Sequence, residues 1–178
     1  MGFGQYNLNR IQSLQPTIQP LAQALIQRAA ERGIEIEIVQ GYRSPEQQDA
    51  LLTSGKGVTN APGLLSYHNY GLAFDVVPKD YKELPNWNPT GLHWVTLGQI
   101  GEALGLEWGG RWSNPDRPHF QIPSAAAPIR ELKAYWEKFK KIMPVEIAPA
   151  AGAAGIIVVL ALAWFFIVKP ALEDRGII

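Results

Sequence analysis

The stretch SYHNYGLAFD at 66–75 holds His68 and Asp75, and PDRPHF at 115–120 adds Asp116 and His119. Two neutral imidazole nitrogens and one carboxylate suit a zinc ion whose fourth position stays open for water. Such an ion makes hydroxide available near neutral pH and polarises a carbonyl under attack. Asp116, three residues before the last candidate ligand, can take a proton from that water and hand it to a leaving amine. Arg43 follows an expected strand end at Gly41–Tyr42 and is placed to steady charge on a carbonyl oxygen or to hold a substrate carboxylate. These residues read as a metal-dependent hydrolase. His68 and Asp75 are not a helical i, i+4 pair, so spacing alone does not establish that the donors converge, and the competing reading gives the histidines a role in the fold. His93, beside Trp94, is assigned to packing or to the surface.

The elements that must position these groups are legible in outline. Pro20 starts a helix with Leu21, Ala24, Leu25 and Ala29 on its apolar face, and Gly33 stops it. Ile34, Ile36 and Ile38 alternate with Glu35 and Glu37, the pattern of a half-buried strand. Gly41 to Ser44 turns the chain, Pro45 to Leu52 is a short helix, and Ser54 to Leu65 is a loop rich in Gly, Thr and Asn. Leu72 to Val77 is a strand carrying Asp75. Gly91 to Leu104 has helical spacing at Leu92, Val95, Ile100, Ala103 and Leu104. His119 to Ile122 is a short strand. Helices and strands mix without a βαβ rhythm, so the expected class is α+β with a small antiparallel sheet. Gly71 allows a tight turn between the two halves of the ligand segment, and Gly109–Gly110 lets the chain bend near the last ligand. Trp108 and Trp112 serve either the core or a groove that grips substrate.

The chain of 178 residues carries 16 basic and 16 acidic side chains, which cancel and give no sign of a nucleic-acid face. It has no cysteine, so disulfides, thiolate zinc sites and cysteine nucleophiles are excluded. The N-terminus lacks the basic start and apolar core of a signal peptide. From Ala148 to Val168 there is no charged residue, and as a helix this run is long enough for a bilayer core of about 30 Å. The expected organisation is a compact domain over 1–125, an amphipathic connecting helix over 126–146, a transmembrane helix over 147–169 and a short tail over 170–178. In the connecting helix Ile129, Leu132, Trp136, Phe139 and Met143 oppose Arg130, Lys133, Glu137 and Lys140, which suits packing on the domain or a membrane interface. Small residues at Ala150, Gly152, Ala154 and Gly155 would let two spans pair.

Together these residues resemble a known group. Ser66-x-His68-x-x-Gly71-x-Ala73-x-Asp75 with Asp116-x-x-His119 is similar to the zinc peptidoglycan peptidases of the VanY-type D-alanyl-D-alanine carboxypeptidase and L-alanyl-D-glutamate endopeptidase group, which includes many phage endolysins. Gly41-Tyr42-Arg43-Ser44 with Gln47-Gln48 resembles that group's substrate-side arginine segment, and Gly105 to Gly110 with Trp112 resembles the lead-in to its last ligand. The resemblance covers roughly residues 8–123. It implies a small α+β zinc peptidase fold of the D-Ala-D-Ala peptidase and hedgehog-like type. It also implies Zn2+ on His68, Asp75 and His119, Asp116 as general base, Arg43 as the carbonyl-stabilising or substrate-orienting residue, and Ser66 as a support of the ligand loop. The run from Gly57 to Asp75 is most similar to the L-alanyl-D-glutamate endopeptidases. The substrate implied is the peptide stem of peptidoglycan, with release of terminal D-alanine as the alternative reaction and a noncatalytic wall-binding protein as the alternative class.

Five basic residues between Pro128 and Ile147 against Lys169 and Arg175 after the span favour the cytoplasmic side for the domain by the positive-inside rule. Peptidoglycan lies outside, so either the domain is translocated despite these charges, since the rule is statistical, or it waits inside; the side of the domain stays open. The expected setting is a phage or prophage lysin, or a virion-associated enzyme, anchored by a single C-terminal span in the host inner membrane or a virion membrane, with host wall remodelling as the alternative.

Overall fold

The computed structural model describes residues 4–55, 59–79 and 91–142. The proposed span and its tail, together with the end of the connecting segment, at 143–178, lie outside these residues, and among the described residues no helix is long and apolar enough to cross a membrane. The chain divides into two compact units, one of residues 1–43 and 71–123, the other of residues 44–70 and from 124 onward.

The first unit is built on a sheet. Its elements are α1 (Gln5–Gln12), α2 (Gln19–Ala30), β1 (Ile36–Gln40), β2 (Ala73–Pro78), α4 (Gly91–Ala103), β3 (Glu107–Trp108) and β4 (His119–Gln121); α3 (Pro45–Thr53) belongs to the other unit. The strands run antiparallel in the order β1-β2-β4-β3. Alternation sends Phe74, Val76, Ile38 and Phe120 to the core, all fully buried, where each such side chain contributes about 1.5–3 kcal/mol. Phe74 and Phe120 stack at a centroid distance of 5.9 Å.

Helix α2 is present with Pro20 in its first turn, and Gly33 follows it in the left-handed region at φ +72°. Helix α4 is present too, but its inward face differs from the one the spacing suggested. Leu92 and Val95 are exposed at 72% and 46%, while Trp94, Leu97 and Ile100 are buried. In so apolar a helix several faces satisfy the periodicity, and the small Gly98 and Gly101, which leave room for the Trp108 and Phe120 rings, select the one that packs.

Helix α1 was not expected from the sequence. It is tied to the sheet by Asn7, whose Oδ1 accepts from Ile38 N at 2.8 Å and whose Nδ2 donates to Ile36 O at 3.3 Å. Because β1 is an edge strand, these bonds satisfy main-chain groups that a neighbouring strand would otherwise pair.

The second unit contains α3 (Pro45–Thr53), a 3-10 turn at Tyr67–Tyr70 and α5 (Ile129–Ile142). A capping box starts α3: Ser44 Oγ accepts from Gln47 N at 3.1 Å, and Gln47 Oε1 accepts from Ser44 N at 2.9 Å. Gln48 is fully buried and its Nε2 donates to Thr59 Oγ1 and to Ala61 O, each at 2.8 Å. The glutamine pair thus caps a helix and anchors a loop. On α5, Leu132 is buried and Trp136 meets Tyr70 edge-on at 6.5 Å, while Tyr67 Oη donates to Ala127 O at 2.7 Å.

Candidate metal centre

Register brings Asp75 and His119 together. They are cross-strand partners in the β2–β4 pair, and side chains of directly opposed residues leave the same face of a sheet. Asp75 Oδ1 lies 3.0 Å from His119 Nδ1. A register shift between Ile38 and Gln40 in β1 sets Gln40 opposite Asp75, so the polar row continues across the edge strand. Gln40 Nε2 donates to Tyr42 O at 3.0 Å and shapes the turn that leads to Arg43.

His68 sits on the 3-10 turn and is buried. The turn is organised by Asn69, whose Oδ1 accepts from Leu64 N at 3.0 Å and Ser66 N at 3.4 Å. Among the described residues Leu64 is the non-glycine residue at positive φ, 64°, a conformation that costs of order 1–2 kcal/mol and that Asn69 helps hold. Ser66 takes part through its main chain, accepting from Asn69 N at 3.0 Å. The sequence signal for this role of Asn69 is the tendency of an Asx side chain to bond nearby main-chain N–H groups.

One ligand atom from each of His68, Asp75 and His119 lies within 4.8 Å of the others. The two imidazoles and one carboxylate match the nitrogen and oxygen preference of zinc, and the opposed His119 Nδ1 and Asp75 Oδ1 are the pair of lone-pair donors that a cation would share. The residues therefore fit the ion that the motif implies.

Around this set, Arg43 is buried and its Nη2 is 4.0 Å from Asp75 Oδ2. Burial lowers the guanidinium below its ordinary value, against the opposing charges of Asp75 and Asp116. His119 is buried as well. Desolvation alone would lower its proton affinity, yet the hydrogen bond and charge of Asp75, with Gln121 and the charge of Asp116, raise it above the ordinary value.

Asp116 is exposed on a loop closed by main-chain bonds, Asp116 N to Gly109 O at 2.9 Å and His119 N to Asp116 O at 3.3 Å. Gly109 is required there, because a Cβ would come 2.6 Å from Asp116 O. Trp108 is buried, with Nε1 donating to Arg117 O at 2.8 Å, so it braces this loop from the core. Trp112 is half-buried, its ring 5.1 Å from the His119 ring and its Nε1 donating to Glu107 Oε1 at 2.9 Å. The two tryptophans divide the roles left open by the sequence: Trp108 packs, and Trp112 walls the His119 ring.

A family described as D-alanyl-D-alanine carboxypeptidase matches residues 59–122. The chain is 38% identical over 122 residues to the peptidoglycan L-alanyl-D-glutamate endopeptidase CwlK of Bacillus subtilis (strain 168), covering 61% of this chain and 73% of that protein. It is 32% identical over 121 residues to an L-alanyl-D-glutamate peptidase of Listeria phage A118, covering 65% of this chain and 40% of the phage protein. Among solved structures, the Serratia marcescens L-Ala D-Glu endopeptidase ChiX aligns with a TM-score of 0.57 at 20% identity, covering 71% of this chain and 92% of that one.

Proposed function

Since the chain belongs to the zinc peptidase family of the VanY-type D-alanyl-D-alanine carboxypeptidases and L-alanyl-D-glutamate endopeptidases, we propose that it cuts the peptide stem of peptidoglycan between L-alanine and D-glutamate. The observation that carries this choice of bond is the 38% identity to CwlK over 73% of that enzyme's length. The similarity to a phage peptidase named for the same bond supports it.

When bound, zinc activates water and polarises the carbonyl under attack. In this reading His68, Asp75 and His119 hold the ion. Asp116 accepts the proton from the attacking water and delivers it to the leaving amine nitrogen; its exposure on a loop tied to Gly109 leaves it accessible to substrate. Arg43, buried and held beside Asp75, presents positive charge to the carbonyl oxygen or to a stem carboxylate. Trp112 excludes water from the His119 side. Ser66 and Asn69 keep the His68 turn in shape.

Residues 1–125 form the catalytic domain in this proposal, 126–146 the connecting helix, and the charge-free run at 147–169 a membrane anchor for a phage or prophage lysin or a virion-associated enzyme. The uncharged sequence and the phage relative support that setting. A second reading, release of terminal D-alanine, is supported by the description of the matching family.

The test is digestion of purified peptidoglycan by the full chain, with and without a chelator and with Asp116→Ala as control, followed by mass spectrometry of the new termini. Chelator-sensitive cleavage between L-Ala and D-Glu, lost in the variant, is the expected result. Free D-alanine without internal cleavage assigns the second reaction instead.

A further inference from the structure

The His119 ring faces two oxygen acceptors. Nδ1 is 3.0 Å from Asp75 Oδ1, and Nε2 is 2.9 Å from Gln121 Oε1. A neutral imidazole has one proton, so it can donate to only one of them. The Asp75 carboxylate is the stronger acceptor and by itself would draw that proton to Nδ1, the nitrogen that must be bare to share a cation with Asp75. Gln121 works on the opposite nitrogen. It ends β4 two residues after His119 and leaves the sheet on the same face. It is 3% exposed, so water does not readily replace the His119 ring as partner of its carbonyl. The reversed amide, with its nitrogen towards Nε2, would require a bare Nε2 and would place the proton on the metal side.

We propose that Gln121 is a positioning residue for the metal centre: its side-chain carbonyl holds the His119 proton at Nε2 and orients the ring so that Nδ1 faces the cation. The inference rests on the reading of His119 as a ligand. It adds to the candidate set a buried residue that acts through that ring.

Zinc affinity of the full chain, measured by competition with a chromophoric chelator, separates the possibilities. Gln121→Leu keeps the bulk and removes the acceptor, and it should weaken zinc binding about 10–100-fold. Gln121→Glu restores an acceptor and should bind as tightly as the original chain or more so. The visible absorption of the Co2+-loaded chain should shift in Gln121→Leu and be recovered in Gln121→Glu. In the zinc-loaded, unsubstituted chain, the 15N shifts of the His119 ring should place the proton on Nε2, a reading that does not depend on any variant folding. A proton on Nδ1, or zinc affinity in a folded Gln121→Leu within about threefold of the original, far below the usual loss, overturns the role of Gln121 and leaves the metal centre standing. Failure of the unsubstituted chain to bind zinc overturns the metal centre, and this inference with it.

Discussion

At the scale of single residues the proposed chemistry rests on a division between groups that hold the ion and groups that move protons. Asp116 belongs to the second kind. Asp116→Asn should lower kcat by about 10²–10⁴-fold, the usual worth of a general base, while zinc affinity stays near that of the parent. A loss of zinc parallel to the loss of rate would make Asp116 a structural support of the site. His119 gives a pH signature. Its folded proton affinity is raised in the metal-free chain, with desolvation outweighed by Asp75, Gln121 and Asp116. A raised histidine contributes stability that is fully present below the ordinary value of 6.5 and is lost as pH rises through the folded value. Metal-free protein should therefore melt at a lower temperature at pH 9 than at pH 6, and Asp75→Asn should shrink that difference. Equal pH dependence in the two proteins would sink the account. Zinc binding should weaken as pH falls through the same raised value, since proton and ion compete for Nδ1.

At the scale of elements, two short strands and one loop do most of the positioning. Direct pairing of Asp75 with His119 across β2 and β4 places two charged or polar groups on the polar face, while Phe74 and Phe120 behind them fix the register through the core. The loop from Gly109 to Pro118 folds back on itself only because Gly109 has no Cβ where Asp116 O approaches. Gly109→Ala must displace that carbonyl and with it the segment bearing Asp116. The expected outcome is a lower kcat with a smaller change in zinc affinity, and a loss of stability of about 1–3 kcal/mol from overpacking. Unchanged turnover by Gly109→Ala would show that the loop relaxes without moving its carboxylate.

At the scale of the whole molecule, the proposed anchor connects the enzyme to its setting. The uncharged run 148–168 is outside the described residues, so its role is tested on the chain itself. An Arg at the centre of a spanning helix costs roughly 2.5–3.5 kcal/mol in insertion. Leu160→Arg should move a large share of the chain from the membrane fraction to the alkaline-extractable fraction, with cleavage of soluble peptidoglycan fragments unaffected. Complete extraction of the unsubstituted chain by alkaline carbonate would rule out a spanning anchor.

The amino-acid sequence by itself determined the element types where pattern is strong: the Pro20-started helix, the Ile36–Ile38 alternation and the Asp75 strand each follow from local periodicity and stop signals. It also carried the donor chemistry, because side-chain type alone decides what can hold zinc or move a proton, and the resemblance followed from residues such as His68, Gly71, Asp75 and His119. Tertiary structure decided what depends on partners distant in the chain. Helix α1 has weak local pattern and is held by Asn7 against β1. The buried face of α4 was set by where the Trp108 and Phe120 rings could enter, not by Leu92 and Val95. Gln121 reads as an unremarked polar residue after Phe120 until strand pairing brings His119 to Asp75 and shows that one imidazole must choose between two acceptors. A proton's position on a ring depends on geometry at both nitrogens, and only the folded chain supplies both.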